Sequence, residues 1–168
     1  MGLSKRKKKL IINLDLLRKE KVDYSCSYPF HHRNNGLDYL FELATYSSIC
    51  RHCEEGTCVR ACPVDALYKS ETGILKRYNL RCVSCKSCSI ACPFGTIIPE
   101  ILPYRVSLCD YCLNRVSDND VPLCVKTSSV ENLVEFKEPA KQSDGFFLVG
   151  DNLAVYATYW QGGLEKKL

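Results

Sequence analysis

The sequence predicts an α+β fold in which small hairpins and single helical turns are organised around cysteine loops. Three observations predict it. Twelve cysteines stand in a chain of 168 residues, and eleven of them fall in three groups. Two of the groups repeat, each closing on a cysteine, a proline and a turn into apolar residues: Cys62-Pro63-Val64-Asp65-Ala66-Leu67 answers Cys92-Pro93-Phe94-Gly95-Thr96-Ile97. Between them, Ala66-Leu67-Tyr68 and Ile74-Leu75-Lys76 flank Glu71-Thr72-Gly73, which reads as a small hairpin.

The groups are chemically specific. Cys50, Cys53, Cys58 and Cys62-Pro63 form a C-x2-C-x4-C-x3-C-P run; Cys82, Cys85, Cys88 and Cys92-Pro93 form C-x2-C-x2-C-x3-C-P. The second spacing is the bacterial iron–sulfur run. Three close thiolates wrap one side of a [4Fe-4S] cube in a tight loop, and a fourth reaches it from elsewhere. Val59 to Cys62 and Ser89 to Cys92 read as short helical turns, each ended by the proline, which pushes the residue before it out of the helical region. The third group is degenerate: Cys109-Asp110-Tyr111-Cys112, a loop with Pro122, then Cys124.

Composition bounds the rest. With 46% hydrophobic, 10% aromatic and 25% charged residues the chain is globular. So many cysteines imply that ligands or disulfides replace part of a core. Disulfides need an oxidising compartment, and Leu10-Ile11-Ile12-Asn13-Leu14-Asp15 is too short and polar for a signal segment. No twin arginine stands near the start, no apolar run approaches a membrane span, and Arg6 disfavours myristoylation after Met1-Gly2. A cytoplasmic protein with reduced, metal-binding thiols is expected. The formal charge of +4 is no argument for nucleic acid. Three clusters, each about −2 with its thiolates, would bring it to about −2.

Along the chain, Lys5 to Lys9 has the composition of a solvated terminus or of a contact to an acidic partner. Leu10 to Glu20 fits a short strand leading into a turn of helix. A lone Cys26 precedes Pro29, the pair His31-His32 and the turn signal Asn34-Asn35-Gly36. Adjacent histidines in such a loop read as surface groups more readily than as ligands. Asp38 to Tyr46 fits a short helix or a buried strand. Phe146 to Val149 and Leu153 to Trp160 surround a Gly150-Asp151-Asn152 turn, as a terminal hairpin or an arm, with Trp160 an anchor for a partner or for its own domain.

These motifs resemble the polyferredoxin-type subunits that accompany dimethyl sulfoxide reductases, formate dehydrogenases, hydrogenases and tungsten aldehyde oxidoreductases. Cys50 to Pro63 looks like that family's second cysteine motif, Cys82 to Gly95 like its third, and Cys109 to Cys124 like its fourth. The resemblance covers about residues 46–130. It implies a ferredoxin-like two-cluster core (46–100), a third cluster-binding unit (101–140), and irregular terminal extensions: 1–45, contributing Cys26, and a 141–168 docking arm.

The family pattern carries four motifs for four clusters, in which the last cysteine of a motif serves another cluster. Here the first motif has only Cys26, and Ser128 stands where the fourth should end in cysteine. Loss of one cluster deletes three cysteines from the first motif and one from the fourth, so the resemblance implies three [4Fe-4S] clusters. Cluster A takes Cys50, Cys53, Cys58 and Cys92. Cluster B takes Cys82, Cys85, Cys88 and Cys62. Cluster C takes Cys109, Cys112, Cys124 and Cys26. For the third group a zinc site or a three-cysteine cluster stays open, with Cys26 a buried thiol.

The implied role is electron transfer without an active site of its own. The partners would be a larger catalytic oxidoreductase subunit of tungsten, molybdenum or hydrogenase type and further electron-transfer subunits, with no nucleic acid and no transmembrane segment. A free ferredoxin and a zinc-bound interaction module are the alternatives; zinc prefers two C-x2-C knuckles across a longer loop. Glu54 and Glu55 inside the first loop are expected to lower the potential of cluster A relative to B, whose ligands Arg81 and Lys86 bracket. Asp110 and Arg115 beside the third group roughly cancel.

Overall fold

Leu10, Ile11 and Ile12 form strand β1 (Lys9–Asn13), and a turn over 14–17 follows it. The computed structural model describes residues 7–17, 22–26, 36–99, 108–113, 115–117, 119–139 and 145–158. β1 is an inner strand. It runs antiparallel to β4 (Val134–Lys137) and parallel to β6 (Leu153–Tyr156), with Leu10 beside Phe136 on one side and Leu153 on the other. β5 (Phe146–Val149) pairs antiparallel with β6, so the sheet order is β4-β1-β6-β5. The turn between β5 and β6 passes through Gly150 at φ +75°, a left-handed position that suits glycine. Parallel neighbours need a long crossover. Here all the cysteines lie within the connection between β1 and β6.

Helix α1 (Gly36–Ser48) packs on that sheet. Its apolar residues at 37, 40, 41 and 44 follow helical spacing, and Asp38 sits in the first turn, where the helix dipole favours an acid. Leu37, Leu40, Phe41, Leu43 and Ala44 join Leu10, Ile12, Leu133, Leu153 and Val155 in the larger core. The C-terminal part of α1 turns to a second core, where Tyr46 packs with Leu67, Leu75 and Ile97. Cysteines 50, 58, 62, 88 and 92 pack against this smaller core.

The cysteine region itself is built from short pieces. α2 (Thr57–Arg60) and α3 (Ser87–Ala91) precede the two Cys-Pro turns, and β2 (Leu67–Lys69) pairs antiparallel with β3 (Leu75–Arg77). This is the hairpin expected around Gly73. α4 (Leu123–Lys126) carries Cys124.

The structure is α+β, with one difference from expectation. The described parts of the terminal segments are not irregular, because both ends contribute strands to the four-stranded sheet. The stretch at 38–46 is helix rather than strand. His31, His32, Asn34, Asn35 and Trp160 lie outside the described residues. Among the described residues no helix is long and apolar enough to cross a membrane.

Candidate metal centres

Each cysteine group begins with the same turn. The residue two positions after the first cysteine is left-handed in all three: His52 at φ 51°, Ser84 at φ 55° and Tyr111 at φ 56°. Non-glycine residues seldom adopt this region. The turn aims a backbone N–H back at the first thiol: Ser84 donates to Cys82 Sγ at 3.4 Å and Tyr111 to Cys109 Sγ at 3.3 Å. The His52 N–H likewise bonds to Cys50. Backbone concavities of this kind hold anions and iron–sulfur sites.

The first two groups are also equivalent further along. α2 starts after left-handed Gly56 and α3 after left-handed Lys86. After each proline comes another left-handed residue, Asp65 at φ 49° and Gly95 at φ 62°, whose N–H returns to the carbonyl of Cys62 or Cys92. The next residue reaches the sulfur: the Ala66 N–H donates to Cys62 Sγ at 3.2 Å, and Thr96 Oγ1 lies 3.3 Å from Cys92 Sγ. Thr57 Oγ1 donates to the Ala91 carbonyl at 3.0 Å, joining the two halves.

The last cysteine of each half lies near thiols of the other half. Burial pushes the Cys50 thiol up, and the nearby Cys53 and Cys92 add to the shift. Burial also raises Cys58, with Cys50 and Cys92 beside it. Cys88 is pushed up to about 11, by burial first and then by Cys82 and Cys62. A small cavity is lined by Cys62 together with Cys82, Cys85 and Cys88. The Ser84 hydroxyl beside it is buried with no hydrogen-bond partner among the described residues. Two thiols are moved the other way. The Ser87 hydroxyl lowers Cys85, and at Cys92 burial is outweighed by hydrogen bonds from Thr96, Phe94 and Ile97 together.

The third group is the most enclosed. Burial drives Cys109 and Cys124 each to about 12, reinforced by Cys112 and by Cys26. Cys112 is itself buried, and Arg115 links it to Asp110 with an N···O distance of 2.9 Å. Cys26 arrives there on a clamped segment. The Asp23 N–H donates to Ser129 Oγ at 2.9 Å, the Ser129 N–H returns to the Asp23 carbonyl at 2.9 Å, and the Ser25 N–H donates to Thr127 Oγ1 at 2.8 Å. Ser128 is turned away to the Val130 carbonyl at 3.0 Å.

Each set of thiols is close enough for mutual repulsion. Yet among the described residues no three His, Cys, Asp or Glu side chains converge on a point that one metal ion would occupy.

Residues 41–137 match the family described as the 4Fe-4S dicluster domain. The protein belongs to that family.

The curated relatives are components of named reductases. A component of the anaerobic dimethyl sulfoxide reductase of Escherichia coli K12 is 33% identical over 101 residues, 60% of this chain and 49% of that protein. A component of the tetrathionate reductase of Salmonella typhimurium is 34% identical over 79 residues, 47% of this chain and 32% of that one. Its Archaeoglobus fulgidus counterpart is 34% identical over 76 residues, 45% and 37% of the two chains. The chain thus spans about half the length, or less, of these relatives.

The residues fit 4Fe-4S groups on the structure's own terms. Thiols of the second set line one small cavity, backbone N–H groups point at sulfur in all three groups, and the Ser84 hydroxyl borders that cavity. The dicluster family's motifs do not advertise two further features. One is the 22–26 clamp. The other is Arg77, whose Nη1 donates to Cys82 Sγ at 3.2 Å while Nε and Nη2 hold Glu42. Arg81, expected to act on the second set by its charge, is exposed and stacked 5.1 Å over the Tyr78 ring; Lys86 is exposed as well.

Proposed function

We propose that the chain is an iron–sulfur electron-transfer subunit holding three [4Fe-4S] clusters. Cluster A takes Cys50, Cys53, Cys58 and Cys92. Cluster B takes Cys82, Cys85, Cys88 and Cys62. Cluster C takes Cys109, Cys112, Cys124 and Cys26. The observation that carries it is the thiol-directed turn at His52, Ser84 and Tyr111, repeated with the same hand in all three groups. Two of these turns belong to the paired halves, and the third sits where the clamped 22–26 segment brings a twelfth cysteine.

Bound, such clusters supply one-electron exchange. The chain holds them near one another, shields their sulfurs and sets local charge through N–H groups and side chains. Substrate chemistry falls to a larger catalytic subunit, as the names of the relatives suggest: each is one component of a named reductase. Exposed Leu80, Val83, Ile90 and Phe94 lie on or beside the cysteine loops, as a surface meant to be covered would have them. We assign 46–100, 101–140 and the two terminal segments as functional divisions of the chain, and a reducing cytoplasm suits twelve free thiols.

The test is anaerobic purification with iron and sulfide counts and electron paramagnetic resonance. Wild type is expected to carry three clusters, and Cys26→Ser to lose the iron of one cluster or convert it to a three-iron form. Unchanged iron and spectra in Cys26→Ser would remove cluster C from the assignment. Zinc in place of iron would remove all three. Co-purification with a large oxidoreductase chain at fixed stoichiometry tests the subunit role.

A further inference from the structure

Among the described residues, one ion pair is buried on both sides. The Arg77 and Glu42 side chains are 1% and 2% exposed. Arg77 lies on β3, opposite Leu67, and Glu42 lies on α1. The pair is a two-pronged fork, with Arg77 Nε donating to Glu42 Oε1 at 2.8 Å and Nη2 to Oε2 at 2.6 Å. The remaining arm of the guanidinium points the other way, to Cys82 Sγ at 3.2 Å.

A buried ion pair is weak evidence of a stabilising role, since apolar residues of similar volume often serve as well or better. What apolar residues do not supply is direction. Here the cation touches the sulfur, and the anion stands on its far side, within α1. Solvent screens such buried charges little, in contrast to the exposed Arg81 and Lys86. A cation against a cluster thiolate favours the more negative, reduced form. A hydrogen bond to the sulfur acts in the same sense.

We propose that Glu42 and Arg77 form an oriented charge pair that sets the reduction potential of the [4Fe-4S] group held by Cys82, with Arg77 raising it and Glu42 restraining the rise. This rests on the reading of Cys82 as a cluster ligand. Arg77 acts through that ligand and is a positioning residue. Its fork fixes the guanidinium so that one N–H, rather than a mobile ammonium, meets the sulfur. The pair also ties α1, and so the sheet, to the hairpin beside the second set of thiols, which makes a purely structural role the rival explanation.

The two roles differ in sign. In the full chain, purified anaerobically, each cluster's potential is followed by potentiometric titration with paramagnetic resonance, beside iron and sulfide counts. Glu42→Gln leaves the cation in place and is expected to shift that cluster upward. Arg77→Gln is expected to shift it downward, Arg77→Lys downward by less, and the double Glu42→Gln/Arg77→Gln variant less than either single glutamine variant. The other clusters should stay where they are.

A structural tie alone would move both glutamine variants in one sense or neither. Either result with iron intact overturns the proposal. Should Arg77→Gln lose iron, Glu42→Gln alone decides: an upward shift supports the proposal and an unmoved potential overturns it. Wild-type protein without iron would overturn the cluster reading itself, and this proposal with it.

Discussion

Glu54 and Glu55 show how exposure changes the weight of a charge. Both sit in the first cysteine loop, yet both are exposed, and Glu55 holds Arg60 in a surface ion pair. Lys69 reaches the backbone carbonyl of Glu54 at 3.2 Å, adding positive charge nearby. Water, salt and these cations screen the carboxylates. Glu54→Gln/Glu55→Gln should therefore raise the potential of cluster A by less than Glu42→Gln raises that of cluster B. The shift should shrink further at high ionic strength. Titration at two salt concentrations checks this, and a large, salt-independent shift would show that the loop carboxylates dominate. At this scale the cysteines are legible because three ligands of one set fall within a single loop. The Glu42–Arg77 contact spans 35 residues, and in the sequence each partner looks like an ordinary surface charge.

At the scale of elements, the 22–26 segment matters most, because it has no regular structure of its own to hold it. Two of its backbone N–H groups depend on the hydroxyls of Thr127 and Ser129. Each such hydrogen bond contributes about 0.5–1.5 kcal/mol net. Thr127→Val/Ser129→Ala should loosen the segment without touching a cysteine. The expected outcome is faster loss of one cluster's iron to a chelator, with the other two unchanged. Equal loss from all three would mean that the clamp serves the whole fold rather than Cys26. The hairpin around Gly73 was legible from its flanking apolar runs and its turn, since both strands are local. β4 was not: four residues with only Val134 fully buried leave too little pattern to distinguish a strand from a loop. β1 was legible as a strand and β5 with β6 as a terminal hairpin, but the pairing of β1 with β4 and β6 was not.

At the scale of the molecule, those neighbours join the ends of the chain: Asp15 accepts hydrogen bonds from Thr158 across 143 residues. No local pattern announces a parallel pairing at that separation, and β6 is buried on both faces, so its residues show no alternation. The sheet has a consequence for the clusters. Cys109 and Cys124 pack against the core that β1, β6 and α1 share, whereas Cys50, Cys58, Cys62, Cys88 and Cys92 pack against the smaller core around Tyr46 and Leu75. Leu153 on β6 is fully buried in the first core and Leu67 on β2 is 3% exposed in the second. Truncating either to alanine should cost about 2–5 kcal/mol, but the losses should differ in kind. Leu153→Ala is expected to release cluster C first, although residue 153 lies far from every cysteine in sequence. Leu67→Ala is expected to release clusters A and B first. Chelator-driven iron loss, resolved by the resonance of each cluster, distinguishes them. If both variants lost the clusters in the same order, the two cores would open as one cooperative unit, and the third site would not depend on the sheet in particular.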